Sequence, residues 1–323
     1  MIRLLAIALC ALGFLAHPSA AQDYPTRPIK VIVPTPPGGP VDVAARVVTN
    51  YLADALKQSV IVDNRPGAGN TIGSKEAARA EPDGYTLLYS AVSGLILAPM
   101  LQKDAGYDPV TSFTPIAAVG SGSLILVVHP SVPAKSVAEL VVYAKANPGK
   151  INFSSGGIGV LPHLTGEMFK AAAQINIVHV PYRGGAPSIQ DVVAGNVQMT
   201  FEGTGVLAQL IRDGKLRALA TPSSKRIPEF PELPTMIESG YPNVVSMSWT
   251  GLLAPAGTPD AIVNKLNAQI NAGLKSGELK AALAKISAEP IGGSPSDFAA
   301  LIKSDLARWG PVVKSLDIKT GTR

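Results

Sequence analysis

A proline- and glycine-rich loop, Val33-Pro34-Thr35-Pro36-Pro37-Gly38-Gly39-Pro40-Val41-Asp42, holds residue types that can bind an anion but cannot attack a bond. The loop follows an apolar run, Ile29 to Val33, and precedes a helical pattern. We expect Gly38 and Gly39 to adopt positive φ, and Pro40 suits a first helical turn. Free N–H groups at the start of such a helix attract a carboxylate or a phosphate.

A second loop of the same character is Ser154-Ser155-Gly156-Gly157-Ile158-Gly159. It also follows an apolar run, residues 151–153, and it precedes a helical pattern over residues 161–172. Two anion-binding loops of this kind predict one ligand held between two lobes.

Catalytic interpretations have less support in the sequence. Asp42 lies in the first turn of a predicted helix, where a carboxylate can accept loop N–H groups, so we expect it to order the loop and not to catalyse. There is no G-x-S-x-G nucleophile motif, and neither His129 nor His179 lies in a serine-plus-acid pattern. A triad assembled from distant segments stays open as an alternative.

Metal and nucleotide sites are also weakly indicated. His163 and Glu167 are four residues apart on a predicted helix, but no third ligand is in register, so we expect no metal and no cofactor. The glycines of residues 67–73 do not have the G-x-G-x-x-G spacing, which favours a structural turn.

The N-terminus predicts export. Arg3, an uncharged stretch over residues 4–15, and small residues up to Ala21 follow the order of a secretory signal, with cleavage expected after Ala21. Cys10, the only cysteine, lies inside this segment, so we expect neither a lipid anchor nor a disulfide. The formal charge of +5 is dispersed along the chain, which argues against nucleic acid as a partner.

Apolar runs alternate with helical patterns along the remaining chain, which predicts an α/β fold with a parallel sheet buried on both faces. The predicted strands are residues 29–33, 60–62, 86–89, 124–128, 151–153, 178–180, 197–201 and 216–220. Helix starts are predicted at the capping box from Ser136 to Glu139, at Thr258-Pro259-Asp260 and at Ser294-Pro295-Ser296-Asp297. The proline-rich residues 227–234 are too few for a disordered linker and predict an ordered connection.

Seven blocks together resemble the solute receptors of tripartite tricarboxylate transporters, also called the Bug family. These blocks are residues 24–29, 34–42, 63–69, 82–88, 179–184, 215–220 and 249–259. The resemblance implies a periplasmic binding protein that captures an organic anion in a cleft and delivers it to a membrane permease. It also implies that the first loop and the loop before His163 contact one ligand carboxylate, partly through backbone groups and ordered waters.

The chain departs from the family pattern at four positions. Thr35 stands where an aromatic residue is usual, and Pro37 stands where alanine is usual. Val160 stands where a serine or threonine commonly offers a hydroxyl to the ligand. Thr35 is a candidate to restore that polar contact from the opposite lobe, and Ser154 and Ser155 are further candidate donors. Glu202 replaces an aspartate after Phe201.

We therefore expect a type II-like, two-lobed periplasmic binding protein fold with the ligand cleft between the lobes. The first lobe is predicted to hold residues 22–125 and 247–323, and the second lobe residues 126–246, with hinge closure around the ligand. The ligand is expected to be a small mono- or dicarboxylate, the partner a membrane permease, and the protein a monomer. The predicted ligand-binding residues are Thr35, Pro37, Gly38, Gly39, Asp42, Ser90, Ser154, Ser155, Gly156, Gly159, Val160, His163, Glu202 and Thr204.

Two alternatives to a transport receptor remain. One is an exported hydrolase or dehydrogenase that uses Asp42, His163 or the glycine loops, and catalytic turnover distinguishes it. The other is a sensory module that signals its closed state to a membrane partner, and the neighbouring genes distinguish it.

Overall fold

The computed structural model describes residues 24–102, 104–316 and 318. The predicted signal peptide, residues 1–21, lies outside the described residues. Within the described part of the chain, no helix combines the length and apolar character needed to span a membrane.

Ten strands are described, and they alternate with helices as the sequence predicted. The strands are β1 (Ile29–Val33), β2 (Val60–Asn64), β3 (Thr86–Ala91), β4 (Phe113–Val128), β5 (Ile151–Ser155), β6 (Ile177–Pro181), β7 (Met199–Gly203), β8 (Arg217–Ala220), β9 (Met247–Pro255) and β10 (Ala288–Pro290). Each of the eight predicted runs overlaps a strand, and the α/β class is confirmed.

The α-helices of the described chain connect these strands. They are α1 (Pro40–Leu56), α2 (Thr71–Ala78), α3 (Ala98–Leu101), α4 (Val137–Ala146), α5 (Leu161–Ala173), α6 (Gly185–Val193), α7 (Thr204–Arg212), α8 (Asp260–Ser276), α9 (Glu278–Ala284) and α10 (Pro295–Leu316). A short 3-10 turn, Ala68–Asn70, precedes α2, and a π-helical segment, Ser93–Leu97, precedes α3.

The strands pair in the order β2-β1-β3-β9-β4-β7-β5-β6, with β10 and β8 each pairing with β4. Strand β4 belongs to two groups of strands. Its residues 113–123 pair with β9, whereas its residues 124–128 pair with β7. We call the part built on β1, β2, β3, β9 and β10 the first lobe, and the part built on β5 to β8 the second lobe. The predicted boundaries at 125/126 and 246/247 stay a prediction.

The prediction of a parallel sheet is wrong at its centre. Strand β1 is parallel to β2 and β3, and β5 is parallel to β6 and β7. In contrast, β9 is antiparallel to both β3 and β4, and β4 is antiparallel to β7 and β8. The reason is topological, because β4 leaves the first lobe and β9 returns to it, so these two neighbours must run in opposite directions.

Strand β4 is much longer than the predicted run over residues 124–128. Its first part contains Pro115, Gly120 and Gly122, residue types that interrupt an apolar strand pattern. The pairing with β9 shifts register after Pro115 and after Ala118, which accommodates these residues.

Two of the three predicted helix starts are confirmed by their hydrogen bonds. The Ser136 hydroxyl accepts the Glu139 N–H at 3.2 Å, and the Ser294 hydroxyl accepts the Asp297 N–H at 3.1 Å. The third is wrong in detail, because the Thr258 hydroxyl donates to the Pro255 carbonyl at 2.8 Å and does not cap α8. The predicted ordered connection over residues 227–234 packs Ile227 and Leu233 into the core of the second lobe.

Candidate functional site

A cleft with a cavity of about 190 Å³ lies between the two lobes. Its first wall is the loop after β1 together with Ser90 and Ser93, and its second wall comes from the loops that follow β5, β6 and β7. The floor is formed by residues 120–124 of β4 together with Ser248 and Thr250 of β9. The cleft is therefore framed by the ends of strands from both lobes.

The structure brings half of the predicted site residues to the cleft wall. The lining includes Thr35, Gly39, Ser90, Gly156, Val160, Glu202 and Thr204. The other predicted residues are not among the lining residues, and these are Pro37, Gly38, Asp42, Ser154, Ser155, Gly159 and His163. Several members of the second group hold the two loops in place.

The first loop does not have the backbone geometry that the sequence predicted. Gly38 has a φ of 80°, as expected, but Gly39 has a φ of −80° and a ψ of 167°. The expectation of positive φ at Gly39 is therefore wrong. Gly39 is the N-cap residue of α1, and an N-cap residue adopts an extended conformation so that its carbonyl can start the helix.

Asp42 orders the first loop through donors from three directions. Its Oδ2 accepts the Gly38 N–H at 2.8 Å and the Arg46 Nε–H at 3.0 Å. Its Oδ1 accepts the Asn64 side-chain amide at 2.9 Å. The same amide donates to the Thr35 carbonyl at 3.0 Å, so one network fixes the loop at two points. The expectation that Asp42 accepts loop N–H groups is met by Gly38, and Gly39 is not among its described donors.

The pKa of Asp42 reflects this network. Burial acts to raise the pKa, but the hydrogen bonds from Arg46, Gly38 and Asn64 outweigh burial and hold the pKa below its usual range. Asp42 is therefore ionised at neutral pH, and its charge is already paired within the loop.

Neutral groups support the second loop from behind. The Ser155 hydroxyl lies 2.8 Å from the Gly157 carbonyl and 2.7 Å from His179 Nε2. His163 Nδ1 accepts the Gly159 N–H at 3.0 Å. The rings of His163 and His179 stack with centroids 3.8 Å apart.

Both histidines are held neutral. Burial is the main cause that lowers the pKa of His163 to about 4 and that of His179 to about 3. His163 Nε2 is 4.0 Å from Glu167 Oε1, and no group of three metal-ligating side chains is found in the described residues. The Ser154 hydroxyl is likewise engaged, because it accepts the Ser188 hydroxyl at 2.8 Å.

Four helix N-termini meet at the cleft. The N-cap residues of α1, α5, α6 and α7 are Gly39, Val160, Gly184 and Gly203, and all four line the cleft. None of these residues provides a side-chain cap. The first N–H groups of a helix have no partner within it, and they carry partial positive charge. The wall of the cleft therefore attracts anions without a basic side chain.

The two lobes touch each other beside the cleft. The Leu161 N–H, at the start of α5 in the second lobe, donates to Ser93 Oγ of the first lobe at 2.9 Å. A methyl group added to Gly184 would lie 2.9 Å from Pro36 Cγ. The two lobes are therefore in direct contact at the edge of the cleft.

The charge of the cleft is unusual for an anion site. Lysine, arginine and histidine are all absent from the described lining residues, and Glu202 is the ionisable side chain among them. Glu202 is 4% exposed, and its Oε2 accepts the Gly203 N–H at 3.2 Å. Burial raises the pKa of Glu202 to about 7, although the hydrogen bond from Gly203 acts to lower it.

Thr35 and Val160 lie on opposite walls of the cleft. Thr35 Oγ1 is a buried hydroxyl without a hydrogen-bond partner among the described residues. A buried hydroxyl in this condition costs about 1 to 3 kcal/mol relative to a satisfied one. A ligand or a water that bonded to Thr35 would remove that cost.

Sequence reasoning missed several lining residues. The loop after β6, with Gly184 and Gly185, has the same strand–glycine–helix order as the two predicted loops, so that pattern could have identified it. Ser93 and Asn70 had no such signal, because they enter the cleft from π-helical and 3-10 turns that periodicity does not predict.

A second groove, with a volume of about 530 Å³, lies on the second lobe between residues 135–138 and residues 229–234. It contains no helix N-terminus without a side-chain cap, because the Ser136 hydroxyl caps α4 there. We therefore place the candidate site in the cleft between the lobes.

Comparison with known proteins matches this geometry. A profile of the family described as "Tripartite tricarboxylate transporter family receptor" matches residues 44–318. Protein BugT of Bordetella pertussis is 38% identical over 322 residues, which cover 99% of each chain. The solved periplasmic binding protein BugD is 36% identical with a TM-score of 0.87, over 92% of this chain and 99% of that chain. The R. palustris protein Rpa4515, solved with adipate, is 35% identical with a TM-score of 0.88, over 91% and 99%. The predicted two-lobed binding-protein fold is confirmed.

Proposed function

Because this chain belongs to the tripartite tricarboxylate transporter receptor family, it is a solute receptor, and we propose that its cleft captures a small organic carboxylate for a membrane permease. The resemblance seen in the sequence blocks is thereby confirmed. Its family and its structural neighbours are binding proteins, and our proposal includes no chemical turnover.

One observation carries the proposal, which is that the N-termini of α1, α5, α6 and α7 face a cleft whose described lining residues include no basic side chain. Backbone N–H groups bind a carboxylate by direct hydrogen bonds and by their aligned dipoles. A site of this kind is suited to an anion of one or two charges, because it offers partial charges and no full positive charge.

We propose two tiers of residues at the site. Ligand contacts come from the cleft-lining residues Thr35, Gly39, Ser90, Gly156, Val160, Glu202 and Thr204. Asp42, Ser155 and His163 hold the loops in shape, since their polar atoms already bond to loop groups.

Ligand capture is proposed to favour the closed arrangement. The chain passes between the lobes within β4, near Ser123 and Leu124, and again at the start of β9, so these two connections form the hinge. A ligand that contacts helix N-termini from both lobes binds the closed state more tightly than the open one, and it therefore shifts the population.

We further propose that the mature protein is a periplasmic monomer, exported by a signal peptide over residues 1–21. Its relatives include a periplasmic binding protein, which supports this location. A sensory module with a membrane signalling partner is the alternative, and the identity of the genes beside its own, permease or sensor, would distinguish the two.

Titration calorimetry with adipate, the ligand in the Rpa4515 structure, tests the proposed chemistry. Adipamide is a matched control, because it has the same chain length but no charge. We expect adipate to bind and to raise the unfolding temperature, and adipamide to do neither. Shorter dicarboxylates and aliphatic monocarboxylates in the same assay would define the preferred length.

Equal binding of adipate and adipamide would contradict an anion site built from helix N-termini. Conversion of a bound acid to product, followed by NMR of the ligand over hours, would instead support an exported enzyme.

A further inference from the structure

The carboxyl group of Glu202 is placed differently from every other carboxyl discussed above. It is buried, it lines the cleft, and its two oxygens have different surroundings. Oε2 accepts the Gly203 N–H, whereas Oε1 accepts no hydrogen bond from any described residue. Oε1 lies beside the start of α6, because a methyl group added to Gly185 would be 3.2 Å from it.

This asymmetry matches a neutral carboxylic acid. A neutral acid has one carbonyl oxygen, which accepts, and one hydroxyl oxygen, which donates. Oε2 meets the first requirement through Gly203, and Oε1 is free to donate into the cleft. An ionised Glu202 would instead leave a buried negative charge with a single donor.

Other charged groups do not offset the charge of Glu202. Its neighbouring strands β4 and β5 carry no titratable residues over 124–128 and 151–155. The titratable residues of helices α5, α6 and α7 and of the loop before α6 are His163, Glu167, Lys170, Tyr182, Arg183, Asp191 and Arg212. These side chains are all absent from the cleft lining. Burial and the Gly203 amide are accordingly the causes that set the Glu202 pKa, at about 7.

A bound carboxylate sharpens the choice between the two forms of Glu202. Two carboxylates that share one desolvated site cannot both stay ionised at low cost, so one of them takes up a proton. The helix N-termini around the cleft can then stabilise the negative charge of the ligand. We propose that Glu202 is a specificity-determining residue that binds the ligand as a neutral acid, its Oε1 hydroxyl donating to the bound carboxylate.

This inference rests on the proposed function, since it assumes that the ligand is a carboxylate. It adds that capture above pH 7, where free Glu202 is mostly ionised, takes up to one proton from solvent onto Glu202. Affinity is then highest at mildly acidic and neutral pH and falls by about tenfold per pH unit above pH 7, because binding must protonate a group that is ionised there.

Calorimetric titration with adipate between pH 6 and 8.5, in buffers of different ionisation enthalpy, measures the proton uptake directly. For the wild-type protein at pH 8 we expect uptake of close to one proton. Glu202→Gln keeps an acceptor for Gly203 and a donor toward the cleft, so it should bind adipate with no proton uptake and with little change across the pH range. Glu232→Gln, at an exposed carboxyl, is the matched control and should behave like the wild type.

Binding of adipate by the wild type without proton uptake, or affinity that rises with pH, would overturn the inference while leaving the proposed function intact. The wild-type measurement decides this even if Glu202→Gln fails to fold. Absence of binding at every pH by adipate, by the shorter dicarboxylates and by the monocarboxylates would count against the proposed function instead.

If no acid binds, a measurement without ligand decides the protonation state of Glu202. Because the folded pKa is raised above the unfolded value, the folded wild type binds more protons between pH 4.5 and 7. Its stability should therefore fall relative to Glu202→Gln as pH rises through this window. A constant difference between the two proteins would overturn the inference.

Discussion

The first loop and the second loop present similar glycine backbones to one cleft, but different physical interactions hold them. The first loop depends on an ionised carboxylate, Asp42, which joins Gly38, Arg46 and Asn64. The second loop depends on uncharged groups, with Ser155 and two stacked histidines behind it. One backbone shape can thus be held by ion pairing or by neutral hydrogen bonds, and the two loops should respond differently to acid and to substitution.

Lowering the pH should reveal the largest difference between the two loops, in the free energy of unfolding. His163 and His179 have pKa values of about 4 and about 3 in the folded chain, below the ordinary value of 6.5. As pH falls below 6.5, the unfolded chain binds protons at these histidines that the folded chain does not bind, so the free energy of unfolding decreases. The loss should approach 1.4 kcal/mol per pH unit for each histidine, or about 2 to 3 kcal/mol per histidine by pH 4.5.

Urea unfolding at pH 7 and at pH 4.5 measures this loss. His163→Asn keeps an acceptor for the Gly159 N–H but does not titrate, so the loss should be smaller in that variant. His129→Asn, at a histidine next to Ser131, is the control and should resemble the wild type. Equal losses in all three proteins would show that the histidine pair does not carry the acid sensitivity.

Removal of the ionic centre of the first loop should have the next largest effect. Asp42→Ala leaves Gly38, Arg46 and Asn64 without their shared acceptor, and we expect a cost of about 2 to 3 kcal/mol in stability. Adipate affinity should fall as the loop loses its shape. Asp54→Ala on the exposed face of the same helix is the matched control for urea unfolding and calorimetry.

Asp42→Asn should be intermediate in the same two measurements. An amide keeps one acceptor oxygen, but its NH₂ group replaces the other. That NH₂ group would face either the donors that now bond to Oδ2 or the donor that now bonds to Oδ1. A variant of Asp42 with unchanged stability and unchanged affinity would contradict the role of this carboxylate in ordering the loop.

The smallest expected effect is a difference in stability between alanine substitutions at the two adjacent glycines, Gly38 and Gly39. Gly38 has positive φ and open space around it, so Gly38→Ala should cost about 1 to 2 kcal/mol through backbone strain alone. Gly39 has negative φ, and the nearest atom to an added methyl group is the Pro36 carbonyl oxygen at 3.8 Å. Gly39→Ala should therefore cost less than Gly38→Ala in thermal unfolding. The opposite order would show that the loop has a different backbone in solution.

Residue pattern was sufficient for the class of fold and for the loops of the site. Apolar runs followed by glycine-containing loops predicted the strands that precede the first and second loops, because that pattern is local. Strand β4 was predicted only in part, since Pro115 and Gly120 are tolerated by pairing with β9, which is distant in sequence. Antiparallel pairing at the centre likewise depends on the path of the chain between lobes.

The sequence predicted loops that border the cleft, but it did not predict the directions in which their side chains point. Ser154 and Ser155 belong to a loop that borders the cleft, yet their hydroxyls bond to Ser188, Gly157 and His179 and not toward the cleft. Side-chain direction depends on which neighbours bury a hydroxyl, and those neighbours come from other strands and helices. The angle at Gly39 was missed for a related reason, because the N-cap position decides it and not the residue type.

The helix starts that face the cleft have a consequence for how this receptor tolerates mutation. Their anion-binding groups belong to the main chain, and a point substitution cannot delete a main-chain N–H unless it introduces proline. Side chains around the cleft can therefore be exchanged, and the choice of acid altered, while the capacity to hold a carboxylate persists. A scaffold of this kind can diversify its ligands over many substitutions without first losing binding.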